Sequence, residues 1–137
     1  PKAPDPVGSY VASKIVGNLI FISGQVSFNS NGILTKGKIG KDLSLEQGQE
    51  AAEHCALNIL AQLKKKCGSL NKVKGCIKLT GYVNSTDSFT EQPKIINGAS
   101  NLISNIFGDK GKHTRAAVSV NSLPLGAAVE VDGIFEL

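Results

Sequence analysis

The chain has 137 residues, 41% of them hydrophobic, so it is long enough for one domain with a sizeable core and too apolar for wholesale disorder. Its formal net charge of +4 is too mild to predict a nucleic-acid partner, and no apolar run reaches the roughly 20 residues of a membrane helix. We therefore expect a single domain over residues 1–137, with an extended, proline-rich lead-in over residues 1–8.

The cysteines and the first residues bear on the compartment. Cys55, Cys67 and Cys76 are an odd set without paired spacing, which fits a reducing compartment better than a disulfide framework. Residues 1–6 have neither the basic region nor the apolar region of a signal peptide. The expected location is the cytoplasm, with an organelle as the alternative.

The first predicted elements form a β-hairpin. Residues 10–16 and 19–23 are the two strands, and Gly17-Asn18 between them is a two-residue turn that tolerates positive φ. Glycine and asparagine interrupt the following residues 24–40, which predict at most a short, irregular strand around residues 33–38.

A long amphipathic helix is predicted over residues 45–67. Ser44 and Gln47 have the spacing of a capping box, and Gly68 follows the last turn as a C-terminal cap. The apolar stripe comprises Leu45, Ala52, Cys55, Ala56, Ile59 and Leu63. The lysine run 64–66 is interpreted first as a solvated cluster at the negative helix end, and second as a phosphate-binding patch.

A strand and a second helix follow. Residues 73–83 alternate as a strand, and the helix is predicted to begin at residue 89 or 93 and to end at residue 107. Val73, Ile77, Leu79 and Val83 are predicted to share one face of the strand. The inner stripe of the helix is predicted to carry Ile96, Ala99, Ile103 and Ile106.

Two more strands close the chain. Residues 113–124 predict the first, which ends at Leu123-Pro124 because proline has no N–H for a ladder. Residues 128–135 predict the second, which carries Glu130 and Asp132.

Arg115 lies near the start of the first of these strands, and it shares a face with Ala117 and Ser119. We expect it opposite the strand that bears Glu130. In that position it is either one half of a charge pair or a two-pronged receptor for a substrate carboxylate.

The element order is β-hairpin, helix, strand, helix and two strands. Two amphipathic helices can cover only one face of a mixed sheet, which makes the fold class two-layer α+β. The uncovered face then favours a partner sheet in another subunit.

The sequence lacks the common motifs of metal, nucleotide and RNA binding and of nucleophilic catalysis. His54 and His113 are the only histidines, and neither has further ligands at metal-binding spacing, so no metal and no cofactor are predicted. The cysteines have no nearby base and are interpreted as packed thiols. There is no phosphate loop, nucleophile elbow or dinucleotide fingerprint, and the aromatic residues are too scattered for an RNA-reading sheet.

Three blocks nevertheless resemble one known family along residues 8–136. They are Gly8-Ser9-Tyr10, then Ile22-Ser23-Gly24-Gln25, and finally the stretch from Arg115-x-Ala117-Val118 through Leu123-Pro124 to Val129-Glu130-Val131. Together they resemble the RidA/YjgF reactive-intermediate (imine) deaminases, also called endoribonuclease L-PSP. The chain is similar to a less characterised branch, with Asn97-Gly98-Ala99-Ser100 and Leu123-Pro124-Leu125-Gly126-Ala127.

The resemblance implies a chorismate-mutase-like subunit that assembles into a homotrimer with sites between subunits. By this resemblance Arg115 grips the carboxylate of a small 2-imino or 2-keto acid, and Glu130 holds or activates the water. The resemblance further assigns ligand contacts to Tyr10, Ser23, Gly24, Asn97 and Ala117.

Two departures from the family pattern matter. Ser9 replaces the usual proline before Tyr10, and Ala117 replaces a common cysteine, so a thiol cannot act there. Asn97 matches the family asparagine only after a short insertion.

Three functions follow as hypotheses. The first is hydrolytic deamination of 2-imino and enamine acids to 2-keto acids and ammonia. The second is a non-catalytic module that binds small carboxylates or acts as a holdase. The third is ribonuclease or translation inhibition, which the family name indicates but no residue pattern supports.

Overall fold

The computed structural model describes residues 2–137, so Pro1, the first residue of the predicted lead-in, lies outside the described residues. The strands are β1 (Ser13–Val16), β2 (Leu19–Val26), β3 (Gly75–Asn84), β4 (Thr114–Val120) and β5 (Val129–Glu136). The helices are α1 (Leu45–Cys67) and α2 (Gln92–Phe107). Both helices pack on one face of a five-stranded mixed sheet, which confirms the predicted α+β fold class.

The sheet has the strand order β1-β2-β5-β3-β4. β3 and β4 are parallel, and the other neighbouring pairs are antiparallel. A parallel pair needs a crossover connection, and α2 provides it. β5 occupies the other side of β3, and β4 pairs only with β3, so β4 lies at the edge of the sheet. The expectation that Arg115 lies opposite β5 is therefore wrong, because its neighbour is Leu79 of β3 and that strand separates it from β5.

Helix α1 has the predicted bounds, and the hydrogen bonds of its capping box are formed between Ser44 and Gln47. Its predicted stripe is fully buried except for Leu45, which is partly buried. The stripe packs on the sheet residues that point to the same side, of which Ile20, Leu79 and Phe135 are fully buried. The helix prediction was accurate because period and caps are local properties of the sequence.

Two residues do not lie on the face to which the sequence pattern assigns them. Ile77 is 41% exposed because a register shift between Cys76 and Lys78 turns it to the other face and leaves Cys76 in the core. Ile106 is 49% exposed, and Ile95 is buried in addition to the rest of the stripe in α2. Both errors come from extending a regular period past the point where the backbone or the packing changes.

Several predicted boundaries also differ. β1 begins at Ser13, so Tyr10 precedes the hairpin, and β2 continues past Ser23 to Val26 through a second register shift. The irregular strand expected over residues 33–38 is absent, since this segment makes only isolated bridges, such as Lys36 with Ala127. β4 ends at Val120, before the Leu123-Pro124 stop.

A glycine allows the two helices to approach closely. A Cβ at Gly98 of α2 would overlap the carbonyl oxygen of Gln49 in α1. The side chain of Gln49 also donates to the carbonyl of Lys94, at 2.9 Å, across the same contact. Close backbone approach here fixes how α2 lies over β3 and β4, and so where its polar residues meet β4.

The lead-in is attached to the domain. Ala3 is buried, and Gln62 of α1 donates a hydrogen bond to the carbonyl oxygen of Pro4 at 2.7 Å. Neither helix found in residues 2–137 has the length and apolarity that crossing a membrane requires.

Candidate functional site

The first group of predicted site residues surrounds Glu130 on the sheet face that the helices leave open. Glu130 alternates with the inward-facing Val129 and Val131, so its side chain points to this open face. It lies directly over Gly24 of β2, where a Cβ would overlap its carboxylate oxygen. The absence of a side chain at Gly24 therefore leaves room for the Glu130 carboxylate. This steric role of Gly24 was not predicted from the sequence.

Tyr10 and Ser23 lie beside this carboxylate. Both residues line an open groove of about 700 Å³ that Glu130 and Asp132 also line. Ser23 is fixed by a hydrogen bond from its hydroxyl to the carbonyl of Val11 at 2.7 Å. Residues from all three sequence blocks that resemble the family therefore lie close together here: Tyr10 from the first, Ser23 and Gly24 from the second, and Glu130 from the third.

The Glu130 carboxyl has an altered acidity. Burial raises its pKa above the ordinary range, and the nearby charge of Asp132 raises it further. Burial also raises the pKa of Asp132, although hydrogen bonds from Tyr82 and Thr80 oppose the increase. Tyr82 donates to Asp132 at 3.0 Å, which leaves Glu130 as the carboxylate better placed to exchange a proton.

A cavity of about 230 Å³ adjoins Glu130 on the side of the lead-in. Its walls combine the carboxylate with mostly apolar groups. They include Pro4, Val7, Tyr10, Gly24, Phe28, Pro124, Leu125 and Glu130. The volume suits a small organic molecule, and the mostly apolar lining suits an apolar portion of it, whereas no cationic side chain of residues 2–137 lines the cavity.

Buried amide side chains support the cavity from below. Gln62 bonds both the Pro4 carbonyl and Gln25 Oε1, at 2.7 and 3.3 Å, and Gln25 in turn donates to the Ser23 carbonyl at 3.0 Å. The network ties the lead-in, α1 and β2 together around Gly24. Buried amides of this kind rigidify a site because each unmade hydrogen bond would be costly.

The second group of predicted residues surrounds Arg115 on the helix-covered face of β4. Its Nη1 donates to Asn97 Oδ1 at 2.8 Å and to Ser100 Oγ at 3.1 Å, and its Nη2 donates to the carbonyl of Pro93 at 3.3 Å. All three acceptors are neutral oxygens of α2. Ala117 follows on the same face and packs against the core.

No carboxylate within residues 2–137 lies within 4 Å of the Arg115 guanidinium. Its charge is therefore not neutralised by those residues. A guanidinium has five donor hydrogens, and three are used here, so two remain for an incoming acid.

The two groups do not meet within one chain. Glu130 lies on the open face of β5, whereas Arg115 lies on the opposite face of β4, with β3 between the two strands. Tyr10, Ser23 and Gly24 belong with Glu130, and Asn97 and Ala117 belong with Arg115. Their roles in ligand binding stay predictions.

Two residues without a predicted role lie next to Arg115. His113 Nε2 lies 2.8 Å from Ser100 Oγ, which is the oxygen that Arg115 also contacts. In the sequence, Ser100 belongs to a family motif without an assigned role, and His113 is a metal-ligand candidate that lacks further ligands at suitable spacing. A signal did exist, since a helix residue three positions after Asn97 lies on the same face. Across the described residues, no three His, Cys, Asp or Glu side chains converge as metal ligands would.

The two-layer α+β fold agrees with the family that matches this sequence. The family model described as "YjgF/chorismate_mutase-like, putative endoribonuclease" matches residues 1–137. The chain belongs to this family.

Individual relatives extend along nearly the whole chain. Protein TCP17 of Trypanosoma cruzi is 44% identical over 138 residues, covering 100% of this chain and 86% of that protein. The crystal structure of an Agrobacterium tumefaciens protein of unknown function has a TM-score of 0.92 and 47% identity, covering 97% of this chain and 85% of that one. The rat 2-iminobutanoate/2-iminopropanoate deaminase is 27% identical over 134 residues, covering 97% of this chain and 83% of that protein.

Proposed function

We propose that the protein hydrolyses reactive 2-imino acids, and the enamines that tautomerise to them, to 2-keto acids and ammonia. The observation that carries the proposal is the Arg115 guanidinium, which has two free donors and no carboxylate partner among residues 2–137. Such a group matches the carboxylate shared by substrate and product. The name of the rat deaminase supports this substrate class for the family.

Glu130 supports the hydrolytic step. Water must add to the imine carbon, and a carboxylate can take a proton from that water as the carbon–oxygen bond forms. The carboxyl returns this proton to nitrogen, which gives a carbinolamine. The hydroxyl proton then passes through the same carboxylate to nitrogen as the carbon–nitrogen bond breaks, and the products are the 2-keto acid and ammonia. Burial raises the pKa of Glu130, which makes the carboxylate a stronger proton acceptor for these transfers, and a general acid–base group typically contributes about 10²- to 10⁴-fold.

The separation of the two groups supports a site shared between two copies of the chain. A ligand that touches both must bridge the Arg115 surface of one copy and the Glu130 surface of another. These are different surfaces, so the contact is heterologous, and heterologous contacts that close produce rings. The homotrimer implied by the sequence resemblance is such a ring.

A subunit-mixing experiment tests the proposal directly. Arg115→Ala and Glu130→Gln are each expected to lose most imine hydrolysis in an assay of ammonia release with an amino-acid oxidase as the imine source. When the two variants are unfolded together and refolded as a 1:1 mixture, about a quarter of the interfaces should combine both intact residues, and activity should return to about that level. A mixture as inactive as its components would contradict a shared site. A wild-type protein without imine hydrolysis would contradict the function itself.

The binding-module alternative makes a different prediction. A binding module needs Arg115 but not Glu130, so Glu130→Gln would bind 2-oxo acids as well as the wild type does. The wild-type protein itself would show no imine hydrolysis. For ribonuclease action, RNA cleavage that survives Arg115→Ala would indicate a contaminant. Arg115 and Glu130 therefore separate all three hypotheses.

A further inference from the structure

A series of hydrogen bonds runs from Gly111, in the turn that follows α2, to the Arg115 guanidinium. His113 Nδ1 lies 2.6 Å from the carbonyl oxygen of Gly111, and His113 Nε2 lies 2.8 Å from Ser100 Oγ. The same Ser100 oxygen accepts from Arg115 Nη1 at 3.1 Å. His113 and Ser100 are both partly buried, so water competes only in part for these contacts.

The acceptors fix the hydrogen positions in this series. A carbonyl oxygen only accepts, so His113 Nδ1 carries a hydrogen. In the neutral ring Nε2 is then an acceptor, and the Ser100 hydroxyl donates to it. A lone pair of Ser100 Oγ stays available for the guanidinium, and donation to the imidazole makes that oxygen a better acceptor.

The contact decides which edge of the guanidinium is free. Both hydrogens of Nη1 are used, one by Ser100 and one by Asn97, and one hydrogen of Nη2 goes to the Pro93 carbonyl. The Nε hydrogen and the second Nη2 hydrogen remain. The Nε–Nη2 edge is therefore the edge on which both nitrogens keep a hydrogen not used within residues 2–137, and such an edge of arginine can bind both oxygens of a carboxylate.

Gly111, where the series of hydrogen bonds begins, is held in place by close packing. A Cβ at Gly111 would crowd the backbone of α2 at Ile103 and Ser104, 2.7 and 2.9 Å away. Gly111 is therefore held against the helix, and its carbonyl presents a fixed acceptor to His113. The series thus begins at packed backbone and ends at the guanidinium.

We propose that Ser100 and His113 are positioning residues that hold the Arg115 guanidinium with its Nε–Nη2 edge directed at the substrate carboxylate. The proposal rests on the proposed function, because it presumes an acid ligand at Arg115. Neither residue touches the reacting carbon. Their effect is on the orientation of the charge that binds the acid.

The Ser100 hydroxyl is not assigned as a nucleophile. A serine hydrogen-bonded to a neutral imidazole has the geometry of an activated nucleophile. Here, however, the oxygen is also engaged by a cation, which withdraws electron density from it. Its position favours a structural contact with Arg115 over attack on a substrate.

Variants of both residues test the proposal. Ser100→Ala and His113→Phe are expected to raise KM for a carboxylate-bearing imine, and Kd for 2-oxobutyrate, by about tenfold while kcat changes by less than about twofold. Carboxylate binding is the same in ground and transition states, which is why the effect falls on KM. Ser100→Thr keeps a hydroxyl and should restore most of the affinity.

Thr114→Val is the matched control. Thr114 lies between His113 and Arg115 in sequence, but its hydroxyl donates to the Ile77 carbonyl at 3.0 Å. We expect this variant to bind and turn over like the wild type. Unfolding curves for all variants confirm that the fold is kept.

A structural readout separates failure of this proposal from failure of the proposed function. Nitrogen-15 spectra of the neutral His113 ring should place its hydrogen on Nδ1 and not on Nε2, and the crystal structure of Ser100→Ala should show the guanidinium rotated. Wild-type activity combined with unchanged KM and an unmoved guanidinium in Ser100→Ala would overturn the positioning role alone. A wild-type protein that neither hydrolyses imines nor binds 2-oxobutyrate would overturn both the proposed function and the positioning role that rests on it.

Discussion

Gly24 and Glu130 are in contact across β2 and β5, and the contact leaves no room for a side chain at position 24. A Cβ there would overlap Glu130 Oε2, which is the far end of a flexible side chain. The carboxylate can move away at little cost in stability, but it then leaves the position between the groove and the cavity that it lines.

We therefore expect Gly24→Ala to reduce turnover much more than stability. The free energy of unfolding should change by no more than about 1 kcal/mol, and imine hydrolysis should fall by about 10²-fold, as for Glu130→Gln. Urea unfolding and ammonia release measure the two effects. Full activity in Gly24→Ala would contradict the placement of Glu130 in the reaction.

Replacement of Arg115 tests acid binding without turnover. Arg115→Ala should abolish calorimetric binding of pyruvate and 2-oxobutyrate, and Arg115→Lys should restore little of it because an ammonium is only a point charge. The cost to stability should stay near 1 kcal/mol, since the acceptors released on α2 can bond water. Lys112→Ala removes an exposed charge from the same region and serves as the control. Equal loss in both variants would indicate only a general charge effect.

The raised pKa values of Glu130 and Asp132 predict a pH dependence of stability. A carboxyl with a higher pKa in the folded state binds more protons there than in the unfolded chain. Stability is then greatest below the ordinary carboxyl pKa and falls as the pH rises through the raised folded values. Melting temperatures should decline over this window, and the decline should be smaller in Glu130→Gln. An identical decline in that variant would exclude Glu130 as its source.

The close contact between the helices predicts a large effect at Gly98. Alanine is the better helix former by about 1 kcal/mol, yet its Cβ would overlap backbone of α1, which cannot move as a side chain can. We expect Gly98→Ala to lower the free energy of unfolding by about 2 kcal/mol. Asn101→Ala, at an exposed position of the same helix, should have little effect. A stabilised Gly98→Ala variant would contradict the close approach of the two helices at this position.

The three thiols should differ in reactivity. Burial raises the pKa of Cys55 well above its ordinary value and that of Cys76 to about 12, so neither forms a thiolate readily. Cys67, at the end of α1, is only partly buried. A thiol reagent at neutral pH should modify Cys67 quickly in the folded protein and all three cysteines after denaturation. Fast modification of Cys55 in the folded state would contradict its burial.

The sequence determined the local structure of this protein. The period of apolar residues and the cap residues Ser44 and Gly68 fixed α1, and the Gly17-Asn18 turn fixed the first hairpin. These features depend only on residues that are close in sequence, so they can be predicted from the amino-acid sequence alone. The motifs around Arg115 and Glu130 likewise identified the family that the whole-chain comparison assigns.

Only the tertiary structure decided how the candidate site is divided. The crossover through α2 sends β4 to the edge of the sheet and turns Arg115 towards Asn97 and Ser100, so it does not face the strand of Glu130. Strand order depends on how both helices pack across the entire sheet, and residue spacing along the chain does not encode it. For the same reason the partnership of His113 with Ser100, thirteen positions apart, became visible only once α2 lay over β4.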